Sequence, residues 1–188
     1  MSAVFTPTRH KLSVEDYHKL GEVGILTEDS RVELIEGELI DRAPIGGPHM
    51  GLVNRLNRLL VPVVGDLGVV SIQNPITLPP DSEPQPDVAI LKPGADSAGS
   101  TVPLPDEVLL LIEVADTTLA YDRNTKLKLY AKAGVVEVWI VNVQSKCVEV
   151  YRQPTISGYL RKLEIGLGDS VSPLSLPMVE LRVANIFD

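Results

Sequence analysis

Apolar and polar positions along the chain recur at two periods, and the switches between them divide it into elements. Residues 13–20 read as a short helix, with Ser13 as N-cap and Asp16 three residues on. A polar turn at 27–30 precedes RVELIEGELI. This segment reads as a hairpin, with strands at 32–35 and 38–40 and a turn at Glu36-Gly37. Gly37 supplies the positive φ that such a turn wants. The loop Ile45-Gly46-Gly47-Pro48 opens a helix over 49–60. Met50, Val53, Leu56 and Leu60 form one stripe of it, and Asn54, Arg55, Asn57 and Arg58 lie mostly elsewhere. Pro62 and Gly65 close that helix. Residues 69–78 contain a strand ended by Pro79-Pro80, and the bend DSEPQP leads into a buried-type strand at 87–91.

After a loop rich in Gly, Ser and Pro at 92–106, VLLLIEV (108–114) is an apolar strand with one charge near its end. A helix follows over 117–133, clearest from Asp122, with Gly134 as its stop. Strand 135–143, a hairpin of 146–151 with 159–165, and a short strand at 179–183 complete the chain. Apolar strands flanked by helices predict an α/β (α+β) fold: one domain over 1–188, a mixed central sheet with helices packed on it, and β-hairpins toward both ends.

Composition adds limits. With 44% hydrophobic residues the chain can build a core, but only 4% are aromatic, so Val, Leu and Ile must fill it. The single cysteine, Cys147, cannot form an internal disulfide, which fits a cytoplasmic setting. No apolar stretch approaches the ~20 residues of a membrane helix. The net charge of −8 argues against general nucleic-acid coating, yet allows a local basic groove, and acids gathered around a metal would inflate the count.

Two acids sit where solvent is scarce. Asp87 opens a buried-type strand straight after Pro86, and Glu113 lies behind a wall of leucines. A carboxylate there must be paired, protonated or bound to a metal. On neighbouring strands the two would converge at one sheet edge, offering the hard oxygens that Mg²⁺ prefers. Asp122, Lys126 and Tyr130 are spaced i, i+4, i+8 and share a helix face, whereas Lys128 is about 200° further round at ~100° per residue. A lysine there would orient or help deprotonate an attacking water and balance charge on a phosphate. Each residue has a structural alternative: Asp87 bonding nearby N–H groups, Glu113 pairing with a buried cation, Asp122 and Lys126 forming a surface ion pair. Gln73 fits either a site or a strand edge. His49 is a helix-start residue that could face a cleft. His10 and His18 lack ligand spacing, no His/Cys cluster has zinc spacing, and Trp139 reads as packing.

QPDVAI, LLLIEVAD, YDRNTKLKLYAKAGVVEVWIVN and the upstream RVELIEGELI together resemble domain-of-unknown-function family 820. These are restriction-endonuclease-like proteins of the PD-(D/E)XK nuclease superfamily. The resemblance runs from about Ser13 to about Tyr151 and implies an αβββαβ core. It implies that Asp87 is the motif's Asp and Glu113 its (D/E). Two residues after that acid, where the superfamily has Lys, stands Ala115, and the basic role passes to Lys126 on the next helix. An N-terminal carboxylate would complete the site, Glu33 ahead of Glu38, with Glu36 in the turn. The reading that follows is a Mg²⁺-dependent (Mn²⁺ as substitute) endonuclease acting on DNA. Asp87, Glu113 and the Val114 carbonyl would hold the metal, Lys126 would handle the water, and Glu33, Gln73, Asp122, Tyr130 and His49 would assist. A homodimer is expected, because two strands call for two sites and residues 135–143 and the tail offer apolar surface. The competing readings are a non-catalytic binding protein on a nuclease fold, with Asp87 or Glu113 locked by an internal Arg, and a hydrolase of another phosphoester with a closed pocket.

Overall fold

The structure, a computed structural model, describes residues 8–27, 29–44, 46–95 and 101–188. Helix α1 (Val14–Glu22) leads into a hairpin of β1 (Val32–Ile35) and β2 (Glu38–Asp41), then α2 (Gly47–Val64). Strands β3 (Val69–Ile72), β4 (Val88–Leu91) and β5 (Val108–Ala115) follow. Next come α3 (Leu119–Tyr121), a π-turn (Asp122–Lys126) and α4 (Leu127–Lys132). Then β6 (Glu137–Asn142), β7 (Cys147–Thr155), β8 (Gly158–Ile165), β9 (Ser170–Val171), β10 (Leu181–Arg182) and α5 (Val183–Phe187) complete the order. The αβββαβ order is present as α2-β3-β4-β5-α3/α4-β6.

Six strands form the central sheet in the order β3-β4-β5-β6-β7-β8. Only β5 and β6 run parallel, which requires the helical crossover between them. Burial of both faces explains the near-continuous apolar sequence of these two strands. The pleat sends Leu110, Ile112 and Val114 to one face, with α2, Trp139 and the C-terminal segment. Leu111 and Ala115 go to the other, with Leu127, Tyr130 and Ile140. Glu113 lies between Leu111 and Ala115 on that strand, so it faces the α4 side.

Local signals account for the connections. Ser13 and Asp16 form a reciprocal capping box at the start of α1. Glu36 and Gly37 both have positive φ, 48° and 79°, as a two-residue hairpin turn requires. A Cβ on Gly37 would lie 2.5 Å from that of Lys11, so close approach reinforces the demand for glycine.

Four expectations are corrected. Pro62 does not close α2. It sits on the exposed side of the last turn, while Val64 anchors that turn in the core and Gly65 ends the helix at φ 48°. Met50 is 55% exposed, and the buried stripe runs Val53, Leu56, Leu60, Val64 instead. Strand β6 is central and buried, so it offers no subunit contact; Leu160 and Met178 of the tail are exposed. At 179–183 only Leu181 and Arg182 are extended, and Val183 already begins α5. The Ile45 end of the expected 45–48 loop and residues 96–100 of the 92–106 loop lie outside the described residues.

Glu149 ties the crossover to the sheet. It is fully buried on β7 and accepts hydrogen bonds from Arg123 of the π-turn, Tyr151 Oη (2.5 Å) and Asn142 Nδ2 (3.3 Å), with Lys162 Nζ at 3.1 Å. Burial alone would raise its pKa, but these donors outweigh it and bring the carboxyl down from 4.5 to about 2. A depressed pKa gives stability that is complete above the unfolded value and lost as pH falls through the folded one. Wild-type Tm should therefore drop between pH 4.5 and pH 2 by several degrees more than that of Glu149→Gln, which lacks the titration. Parallel curves for the two proteins would count against this network.

Candidate active site

Asp87 enters β4 from the bend at 81–86, and that bend is pinned from two sides. The Glu83 carboxylate is buried and engages His18 Nε2 (2.9 and 3.0 Å) and Thr77 Oγ1 (2.7 Å). The Glu83 amide donates to the Leu34 carbonyl at 2.7 Å, which draws β1 alongside. His18, without ligand spacing in the sequence, thus has a structural role, and β1 delivers Glu33 to the same end of the sheet as Asp87.

Asp87 Oδ2 accepts the Val114 N–H at 2.8 Å and faces His49 Nε2 at 3.0 Å. Among the described residues its Oδ1 has only Gln73 Nε2, at 3.5 Å. The Val114 N–H points to the β4 side, and in a strand the carbonyl of the same residue points the same way. Extending the β4–β5 register places Pro86 opposite Val114, and proline has no N–H to give that carbonyl.

Glu113 Oε1 accepts Tyr130 Oη at 2.5 Å and Lys126 Nζ at 3.2 Å, while Oε2 has no partner among the described residues. Lys126 also lies 3.5 Å from Glu33 Oε1, which receives the Gln85 N–H at 3.3 Å and lies 3.4 Å from Arg42 Nε. Arg42 bonds Gln85 Oε1 as well. The π-turn shapes this corner. The Leu127 N–H reaches back to Asp122 C=O, five residues rather than four, and Asp122 and Lys126 are both buried while Lys128 is exposed. Asp122 Oδ2 accepts Thr118 Oγ1 at 2.7 Å.

Together these groups line a cleft of about 390 Å³ with Arg42, Gln85, Asp116 and Tyr121. Its lining counts six carboxylates (Glu33, Asp41, Asp87, Glu113, Asp116, Asp122) against Arg42 and Lys126. Burial pushes the Glu113 carboxyl up to about 8, with Lys126 pulling the other way and the charge of Asp87 adding to the rise. Burial likewise raises Asp122, against its bond from Thr118. For Lys126 burial opposes the charge, but Glu113, Glu33, Asp122 and Asp87 outweigh it. Of these opposed pulls the ammonium is the one that persists, because four carboxylates surround it. His49 is raised by its bond to Asp87.

Of the candidates from the sequence, Glu33, His49, Gln73, Asp87, Glu113, Asp122 and Lys126 line the cleft, with Tyr130 and Val114 behind its wall. Glu33, not Glu38, joins them. Glu38 pairs with Arg9 at 3.3 Å and Glu36 lies 3.8 Å from Lys132. Among the described residues neither Asp87 nor Glu113 is paired with an arginine, though Asp87 does bond a backbone N–H, that of Val114, and Glu113 does pair with a buried cation, Lys126. Arg42, Gln85, Asp116 and Tyr121 were not singled out in the sequence; a contact distant in sequence brings Arg42 to Gln85, while Asp116 and Tyr121 come in as chain neighbours of Glu113 and Asp122.

The donor set suits a hard divalent cation: among the described residues Glu113 Oε2 has no partner and Asp87 Oδ1 has only the long bond from Gln73, with the Val114 carbonyl turned to the same side. Two further polar atoms, His49 Nδ1 and Tyr121 Oη, are buried without a partner among the described residues. Among the described residues, Cys147, Glu149 and Glu164 are the set whose possible ligand atoms all lie within 4.8 Å of one another; those of the cleft carboxylates do not. In that group, however, Glu149 is taken by Arg123 and Lys162. No helix among the described residues is long and apolar enough to cross a membrane.

A solved crystal structure, described as a "putative nuclease belonging to DUF820 from Anabaena variabilis ATCC 29413", superposes with a TM-score of 0.72. The match covers 94% of this chain and 97% of that one at 18% identity, a likeness of fold. No curated protein matches. The family model Uma2, described as "Putative restriction endonuclease", matches residues 14–184. With nearly the whole chain matched, this protein belongs to the Uma2 family of restriction-endonuclease-like proteins.

Proposed function

We propose that the chain is a Mg²⁺-dependent endonuclease that hydrolyses DNA phosphodiester bonds, with Mn²⁺ able to replace Mg²⁺. The observation that carries this reading is the convergence of Asp87, Glu113 and a buried Lys126 at one end of the adjacent strands β4 and β5. A phosphodiester is repelled by a cleft with six carboxylates and two fixed cations, so a divalent ion is needed for substrate to enter at all. Asp87, Glu113 and the Val114 carbonyl would hold it. When bound, the ion supplies Lewis-acid stabilisation of charge on the phosphate.

The protein's own groups supply the rest. Glu33 and Glu113 hold the Lys126 ammonium inside the cleft, where it donates hydrogen bonds and offsets charge growing on the phosphate oxygens. From there Lys126 would position or activate the attacking water. The Val114 N–H, His49 and Gln73 fix the Asp87 carboxylate. Water adds across the P–O bond, leaving a phosphomonoester and an alcohol. Cutting both strands calls for two such clefts, supplied by a homodimer in the cytoplasm, with the exposed tail residues Leu160 and Met178 available for contact.

The test is cleavage of supercoiled, linear and single-stranded DNA with Mg²⁺, Mn²⁺ or EDTA. Nicking or linearisation that needs the metal and stops in EDTA is expected. Cutting that persists in EDTA, or none on any substrate, goes against the proposal.

A further inference from the structure

Resting on that metal-site reading, we infer that Tyr130 is a positioning residue that sets which divalent ion the cleft accepts, by holding Oε1 of Glu113 and leaving only Oε2 for the ion. Three observations carry the inference. The Tyr130 hydroxyl donates to Oε1 at 2.5 Å, and Lys126 Nζ reaches the same atom at 3.2 Å. Oε2 has no partner among the described residues, so the two oxygens of one carboxylate are treated differently by the fold. Tyr130 itself is fully buried in the cluster with Leu111, Val138 and Ile140. Its hydroxyl is therefore placed by the core and cannot swing away as a cleft side chain could. Lys126 and Tyr130 are one helical turn apart at the end of the π-turn, so a single element delivers both contacts.

The chemistry of the ions gives this asymmetry a consequence. Mg²⁺ takes six oxygens at short distances and accepts a carboxylate through one of them. Ca²⁺ is larger, takes six to eight, and often chelates both oxygens of a carboxylate. Chelation at Glu113 would require Oε1, which already accepts from both Tyr130 and Lys126, to give up one of these bonds and strand a buried donor. The lock costs Mg²⁺ nothing and handicaps Ca²⁺.

The experiment is calorimetric titration of Mg²⁺, Mn²⁺ and Ca²⁺ into wild type and Tyr130→Phe, with circular dichroism and Tm as controls. Phenylalanine fills the same space and removes only the hydroxyl. The ratio of Ca²⁺ to Mg²⁺ affinity should rise on the order of ten-fold in the variant. A role in packing alone would shift Tm and weaken all three ions alike, and that result overturns the inference, as does an unchanged ratio. Wild type that binds no ion brings down the metal-site reading and the inference together. Wild type that binds with the ratio unmoved in the variant brings down the inference alone. A second measurement needs no variant. In crystals of the Ca²⁺-loaded wild type, Glu113 should meet the ion through Oε2 only, and Oε1 within coordination distance contradicts the lock.

Discussion

Asp87→Asn is expected to lower metal-dependent DNA cleavage by about 10³-fold, the scale of losing a principal stabiliser of phosphate charge. The substitution is chosen for what it keeps. Asp87 accepts the Val114 N–H and faces His49, and an amide oxygen can still take the N–H. The start of β4 should hold, with Tm within a few degrees of wild type. What is lost is the negative charge, and with it the main reason for a divalent ion to sit between β4 and β5. Single-turnover rates on plasmid DNA at saturating Mg²⁺ read the effect. A loss under ten-fold would remove Asp87 from the chemistry and leave it a strand-start residue.

Lys126→Met is expected to act on both stability and rate. Lys126 is buried and stands between Glu33 at 3.5 Å and Glu113 at 3.2 Å. Removing one member of a buried charged group strands the others, a loss of about 3–5 kcal/mol. Urea unfolding in EDTA should show it. Adding Mn²⁺ should restore more stability to the variant than to wild type, because the ion supplies positive charge that the lysine no longer does. Cleavage should stay low even with Mn²⁺, since the donor to the phosphate is gone. Unchanged stability in EDTA would mean that Glu33 and Glu113 are compensated by other groups.

The sequence announced parts of this site and concealed others, for physical reasons that differ by residue. Glu113 stood out because a charge inside VLLLIEV cannot be left unpartnered, and the pleat makes its facing predictable. The helical angle showed only that Lys126 and Lys128 cannot both point inward; which of them does was left open, and the structure buries Lys126. The π-turn was invisible, because an extra residue in a turn leaves the i, i+4 spacing of Asp122, Lys126 and Tyr130 as written. The choice of Glu33 over Glu38 was not legible from the hairpin. It depends on the bend at 81–86 lying against β1 through the Glu83–Leu34 hydrogen bond, a contact between distant parts of the chain. Arg42 and Gln85 were hidden in the same way. Pro62 misled because its cost to a helix is paired with a gain that local sequence does not show, the burial of Val64. Strand β6 read as a surface for assembly only because its apolar run cannot say which strands will flank it.

The most direct test of the account is an anomalous difference map from crystals grown with Mn²⁺. The account predicts a peak in the cleft within reach of the Asp87 and Glu113 carboxylates and the Val114 carbonyl. A cleft without a peak, with the ion instead at Cys147, Glu149 and Glu164, would contradict it.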